Sequence, residues 1–135
     1  MSRTISPPSE DAMPFWEASR EHRFVLPWCL ECERTFWYPR VRCPYCLSPR
    51  IEWREASGRG TVYALSVMHL PATPEYKDRV PYIVAMIDLD EGARMMSNVF
   101  GIDPTTAKVG MAVQIAWEDL DDGRALPVFE PAPSA

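Results

Sequence analysis

Four cysteines constrain this chain more than any other feature. They form two Cys-x-x-Cys pairs, Cys29 with Cys32 and Cys43 with Cys46, separated by the ten residues 33–42. Each pair offers two thiolates from one tight turn, and a hairpin between them would bring the two turns together. Tetrahedral Zn²⁺ held by four sulfurs at about 2.3 Å is the expected result. The spacing leaves open disulfides, free thiols, an iron site of rubredoxin type and a redox thiol pair. The first thirty residues lack a basic start followed by an apolar stretch, so no secretory signal is expected, which argues against disulfides. Four thiolates would fill the coordination of zinc and leave no open position, so the site is expected to be structural.

The 135 residues suit one ordinary domain or two small units, and 47% apolar content is enough for a core. No apolar run approaches the roughly 18 residues of a membrane span, and a cytoplasmic location is expected. The formal charge of −5 belongs to residues 58–135, with six basic and eleven acidic residues; residues 1–57 balance at eight of each. All four cysteines lie in the neutral part, and most of the alternating apolar pattern lies in the acidic part. The expected division is a helical segment over 1–23, a zinc ribbon over 24–56, a barrel over 57–131 and a tail over 132–135. Residues 1–9 and 131–135, rich in Pro, Ser and Ala, are expected to be mobile.

A short helix is expected to begin near Pro14, where a missing N–H costs nothing, and to run to His22 or Arg23. Phe15 and Trp16 on this helix either pack on the chain's own domain or dock another protein, as could Trp37. Residues 24–28 and 35–39 read as β-prone, and residues 51–54 as the exit from the ribbon. Five strands follow. The first, 60–70, alternates with Tyr63, Leu65, Val67 and His69 on one face and Val62, Ala64, Ser66, Met68 and Leu70 on the other. Residues 71–80 form a polar loop. Residues 82–89 place Ile83, Ala85, Ile87 and Leu89 on one face, and Asp90-Glu91-Gly92 supplies a turn. Residues 93–100 form the third strand, and residues 103–107 a capped helical turn. Residues 110–117 follow with Met111, Val113, Ile115 and Trp117 on one face. Asp121-Asp122-Gly123 turns into the last strand, 125–129. Five short strands with a helical turn between the third and fourth match the order of an OB-fold barrel. A generic five-stranded sandwich is the alternative. Ser57-Gly58-Arg59-Gly60 reads as a hinge between the units.

Catalytic chemistry is not evident. His22 and His69 have no nucleophile arranged with them, and Asp88, Asp90 and Glu91 fall where strand ends collect acids. No phosphate-cradling glycine loop is present. Zinc ribbons and OB-folds can bind nucleic acid, but the acidic barrel and the two excess negative charges of a zinc tetrathiolate oppose phosphate. Arg34, Arg40, Arg42 and Arg50 could instead face an acidic partner or a coenzyme phosphate.

In order and spacing these pieces resemble a known family, the OB-fold proteins with an N-terminal rubredoxin-like zinc ribbon associated with acyl-CoA metabolism (domain of unknown function thirty-five). The resemblance runs from Phe15 to Pro131. It rests on Phe15-Trp16-Glu17, the two Cys-x-x-Cys pairs, Tyr38-Pro39, Trp53 and Ser57-Gly58-Arg59-Gly60-Thr61-Val62-Tyr63. It continues through Pro81-Tyr82-Ile83-Val84-Ala85, Leu89-Asp90-Glu91-Gly92, Gly110-Met111-x-Val113 and Pro127-Val128-Phe129-Glu130-Pro131.

The resemblance implies a mostly β chain that binds structural Zn²⁺ through Cys29, Cys32, Cys43 and Cys46. It implies a non-catalytic small subunit of a hetero-oligomer, whose thiolase-fold partner (an acyl-CoA thiolase or a lipid-transfer-protein-like aldolase, some acting on steroid-type CoA esters) carries the catalytic groups. Acyl-CoA would pass at or near the interface. Arg40, Arg42, Lys77 and Arg79 are candidate contacts to the CoA phosphates, and Phe15, Trp16 and Trp37 candidate docking residues. Neither nucleic acid nor membrane is an expected partner. A rubredoxin-like electron carrier and a zinc-ribbon/OB-fold nucleic-acid binder are the alternatives.

Overall fold

In the computed structural model, residues 5–133 are described. The expectation of mobile ends falls partly on residues 1–4 and 134–135, which lie outside the described residues.

A 3₁₀ turn, Glu10–Ala12, runs directly into helix α1, Met13–Ser19, with Pro14 in its first turn. The helix is shorter than its sequence implies. His22 takes a left-handed conformation (φ 56°), while the Arg23 N–H bonds back to the Ala18 carbonyl and the His22 N–H to that of Ser19, both at 3.0 Å. That is the paired-bond helix stop usually built around glycine.

Strands β1, Val25–Cys29, and β2, Ile51–Glu55, pair antiparallel from Val25 opposite Glu55 to Cys29 opposite Ile51. Between them the chain makes both cysteine turns. The β-prone stretch at 35–39 forms no strand, only a bridge from Thr35 to Trp28. Its side chains are used otherwise: Trp37 packs edge-on against Phe15 at 5.0 Å, and the Tyr38 hydroxyl accepts from the Trp16 indole N–H at 2.9 Å.

The remaining strands are β3 Arg59–Met68, β4 Tyr82–Leu89, β5 Arg94–Val99, β6 Ala112–Asp119 and β7 Ala125–Pro131. They close into a barrel in the order β3-β4-β5-β7-β6, with β6 returning to β3. A 3₁₀ turn at Pro104–Thr106 separates β5 from β6; the Asp103 carboxylate caps it by accepting from the Thr105 N–H at 2.9 Å. This is the OB topology that the strand order implied. In β4, Ile83, Ala85, Ile87 and Leu89 all point inward and are buried.

Strand β3 departs from simple alternation. Its register to β4 shifts between Val62 and Ala64, so that Val62 faces Ile87 but Leu65 faces Ala85. The extra residue, Tyr63, is bulged out and 53% exposed. Past the bulge the inward parity flips: half-buried Leu65 packs against the core with Val62, half-buried Val67 shares that face by register, and Ala64 and Ser66 turn outward.

One apolar core joins the N-terminal helix, the base of the ribbon and the barrel. Phe15, Trp16, Phe24 and Leu26 pack in the same cluster as Val62, Ile83, Ile87, Val113 and Phe129. Burying each of these side chains contributes on the order of 2 kcal/mol. A second, small cluster of Cys29, Phe36 and Cys43, with Cys32 and Ile51 against it, lies at the ribbon tip. The junction at 57–60 is packed, not hinged. Gly58 is buried at φ 77°, its carbonyl accepts from the Ile115 N–H at 2.6 Å, and a Cβ there would collide with the Ile115 side chain. The chain near the first described residues is also tied down, because the Arg124 guanidinium donates to the carbonyls of Ser6 and Ile5 at 3.0 and 3.2 Å.

Candidate functional site

The four cysteines converge at the ribbon tip. Cys29 ends β1, Cys32 follows one turn later, and the second turn carries Cys43 and Cys46. All four sulfurs lie within 4.8 Å of one another. Cys29 Sγ is 3.5 Å from Cys46 Sγ, and Cys32 Sγ is 3.6 Å from Cys43 Sγ. A zinc tetrahedron with bonds of about 2.3 Å has sulfur–sulfur edges of about 3.8 Å, so the donor set fits the ion. Both turns are shaped by the backbone. The Cys29 N–H bonds to the Arg34 carbonyl at 2.8 Å, and the Leu47 N–H to that of Cys43 at 2.9 Å, with Leu47 at φ 65°.

Electrostatics at the site favour a cation. Burial raises the Cys32 thiol to about 12, with hydrogen bonds from the neighbouring cysteines adding to the shift. Burial also raises Cys43, but donors from the Cys46 and Tyr45 backbone outweigh it and bring that thiol down to about 7. The Tyr45 N–H lies 3.3 Å from Cys43 Sγ. Four crowded sulfurs cannot all ionise without a counter-charge, and Zn²⁺ supplies one. Cys29 and Cys43 are fully buried, and Cys46 faces solvent.

Other sequence-derived candidates separate. Phe15, at 0% exposure, and Trp16, at 8%, belong to the chain's own core, which corrects their assignment as docking residues. Trp37 is half-buried against Phe15. Arg40 and Arg42 are exposed on the ribbon, and Lys77 on the loop before β4. Arg79 is not a free cation: it is held by two hydrogen bonds to the Glu118 carboxylate, at 2.8 and 3.4 Å.

A further feature was not anticipated from the sequence. Two adjoining grooves of about 290 and 230 Å³ run over the outer face of β3, β4 and β5 and share Val84 and Met96. Ala64, Ser66 and Met86 line one end, and Ala72, Tyr76 and Tyr82 the other. Met96 is 65% exposed. The alternation of β4 already set Val84 and Met86 opposite its core positions. That they form a trough depends on the bulge at Tyr63.

Comparison with known proteins agrees with this geometry. The family described as "ChsH2, rubredoxin-like zinc ribbon domain" matches residues 16–52, and "ChsH2, C-terminal OB-fold domain" matches residues 53–118. Over 100 residues the sequence is 36% identical to a DUF35 domain-containing scaffold protein of Methanothermobacter thermautotrophicus, covering 70% of this chain and 74% of that one. This chain belongs to the DUF35 family. Its zinc ribbon is the rubredoxin-like unit of that family, and Cys29, Cys32, Cys43 and Cys46 would hold the ion.

The DUF35 chain is also 39% identical, over 119 residues, to a probable enoyl-CoA hydratase alpha subunit of Thermomonospora curvata. That match covers 87% of this chain but only 37% of the relative's length. Among solved structures, a chain of "Ltp2-ChsH2(DUF35) aldolase" is similar at a TM-score of 0.84 and 35% identity, covering 96% of this chain and all of that one. Among the described residues of the DUF35 chain, no helix is long and apolar enough to cross a membrane.

Proposed function

We propose that this DUF35 chain is a non-catalytic accessory subunit that binds a thiolase-fold enzyme, an acyl-CoA thiolase or a lipid-transfer-protein-like aldolase, and helps to wall the passage of the acyl-CoA. The observation that carries this reading is the similarity, over 96% of its length, to a chain of an aldolase named for Ltp2 together with ChsH2(DUF35). The scaffold name of the archaeal relative supports the same role.

The site chemistry is consistent with it. A zinc held by four thiolates has no position for substrate, so its contribution is to fold the ribbon. Among the described residues, no nucleophile is hydrogen-bonded to His22 or His69. His22 stacks on Trp117 and pairs with Asp119 at 2.6 Å, which is a surface packing role. The outer trough offers an acyl chain a wall of aliphatic and methionine side chains, and methionine adapts to irregular apolar shapes. Exposed Lys77, with Arg40 and Arg42, would serve a CoA phosphate; Arg79, committed to Glu118, would not.

The name of the bacterial relative favours a second reading, in which the chain serves an enoyl-CoA hydratase. One experiment separates the two. The chain is co-expressed with a thiolase-fold protein of the same genome and, separately, with hydratase subunits of that genome. Co-purification with the thiolase-fold protein at fixed stoichiometry is expected, together with a gain in that protein's acyl-CoA activity. Binding to the hydratase subunits alone would replace the first reading with the second, and a monomer that binds neither would overturn both.

A further inference from the structure

We infer that the rim of the metal site is the surface by which this chain docks its enzyme partner, and that the partner meets it with an apolar patch bearing carboxylate or carbonyl acceptors. This rests on the partner reading above and gives it a location.

Large apolar side chains exposed singly need no explanation, whereas a cluster of them does. Leu30, Tyr38, Val41, Tyr45 and Leu47 all stand exposed within residues 30–47, with Val41 and Leu47 at 68% and 67%. Leu30 follows Cys29, Tyr45 precedes Cys46 and Leu47 follows it, and the sulfurs of those cysteines lie within 4.8 Å of one another. Leu30, Tyr45 and Leu47 therefore ring a single end of the ribbon, and Val41 lies two residues before Cys43, while Tyr38 is turned toward α1, where its hydroxyl accepts from the Trp16 indole. The small tip cluster does not take them in.

The polar residues of the rim are of the kind used in protein interfaces. Every basic residue between Cys29 and Ile51 is an arginine. The Arg34 guanidinium lies 3.6 Å from the centre of the Tyr45 ring, and Arg42 donates to the Leu47 carbonyl at 3.1 Å. Arginine and tyrosine are enriched in interface hot spots, and lysine is depleted from interfaces. The four arginines offset Glu31, Glu33 and the excess negative charge of a zinc tetrathiolate, so the rim is not the polycation that phosphate backbones select. Apolar contact and guanidinium hydrogen bonds remain as the means of recognition, and these suit a protein. A metal-fixed knuckle also loses little conformational freedom on docking.

The test measures, by calorimetry, the affinity of the zinc-loaded full chain for the thiolase-fold protein co-expressed with it. Three variants are compared: the double variant Val41→Asp/Leu47→Asp, the charge variant Arg40→Glu/Arg42→Glu and the control Val109→Asp, an equally exposed site on the barrel. Zinc content is measured for each. Loss of affinity by about 30-fold or more is expected for the double variant at unchanged zinc content, with the control near wild type. Should the double variant lose zinc, the charge variant decides, with an expected loss of about tenfold or more. A wild-type chain that binds while the informative variant binds equally well would overturn the surface and leave the functional reading standing. A wild-type chain that does not bind would overturn the functional reading and the surface together. Tight binding of a single-stranded oligonucleotide to the rim, with a steep salt dependence, would overturn the assignment of a protein partner.

Discussion

The hydroxyl of Ser19 joins the N-terminal helix to the last barrel strand: it accepts a hydrogen bond from the Ala125 N–H at 3.1 Å while donating to the Trp16 carbonyl at 2.6 Å. Both Ser19 and Ala125 are fully buried. Ala125 also faces Asp119 at the last pair of the β6–β7 ladder, so the serine satisfies a buried N–H at the start of β7. Replacing Ser19 with alanine would leave the Ala125 N–H buried and unpaired. The expected cost is about 1–3 kcal/mol, read as a lowered denaturation midpoint at unchanged slope.

Gly58 is expected to tolerate no side chain. Its φ of 77° and the collision of an added Cβ with Ile115 act together. Gly58→Ala should destabilise the chain by about 2 kcal/mol, measured by thermal or chemical unfolding. The exposed Gly92, at φ 110° with no atom near its Cβ position, separates the two effects, because Gly92→Ala meets the backbone penalty alone and should cost less.

Metal removal should unfold the ribbon tip and spare the barrel. The tip cluster is small and separate, whereas the main core runs through α1, β1 and the barrel. Zinc is expected at about one per chain, and a chelator should produce a first, partial unfolding step before the barrel melts. Cys43→Ser should reproduce that step without chelator. Acidification should release the ion, because protons compete for thiols that include one held at about 12 in the metal-free site. Full-chain unfolding in one step on zinc removal would contradict the separation of the two clusters.

The Asp88–Arg94 pair sets a pH dependence of known sign. Arg94 donates to both Asp88 oxygens, at 2.5 and 3.2 Å, and this hydrogen bonding holds the Asp88 carboxyl below its ordinary value. The unfolded chain then binds more protons in acid. The pair's contribution is present above the unfolded value of about 3.9 and is lost as pH falls through the folded value. Asp88→Asn should flatten the acid limb of a melting-temperature profile and leave stability near neutrality little changed, since both side chains are more than 40% exposed and solvent screens them.

What the sequence made legible was local. Two Cys-x-x-Cys turns, the Asp103 cap, the Asp121-Asp122-Gly123 turn and the alternation of Ile83, Ala85, Ile87 and Leu89 each depend on residues within a few positions of one another. The missed features depend on distant partners. Phe15 and Trp16 looked available for docking because nothing in their own segment covers them; Trp37, Tyr38 and Phe24 do. Arg124, only 5% exposed, reads in sequence as a turn residue. Its hydrogen bond to Asp122 at 2.8 Å fits that reading, but its contacts to Ile5, Ser6 and the Trp16 ring span more than a hundred positions. Arg79 looked free until β6 brought Glu118 to it.

The bulge at Tyr63 has a consequence for volume. A strand of unbroken parity would have set Ala64 and Ser66 inside with Val62, and Leu65 and Val67 outside. The barrel would then have been underfilled and its outer wall crowded. One surplus residue exchanges the two sets, so that the bulky side chains fill the interior and the small ones leave a furrow in the wall. Straightening β3 with Tyr63 kept in the ladder would therefore be expected to erase the furrow and hollow the core in the same stroke, whereas deleting Tyr63 would leave Leu65 inside and Ala64 and Ser66 on the wall.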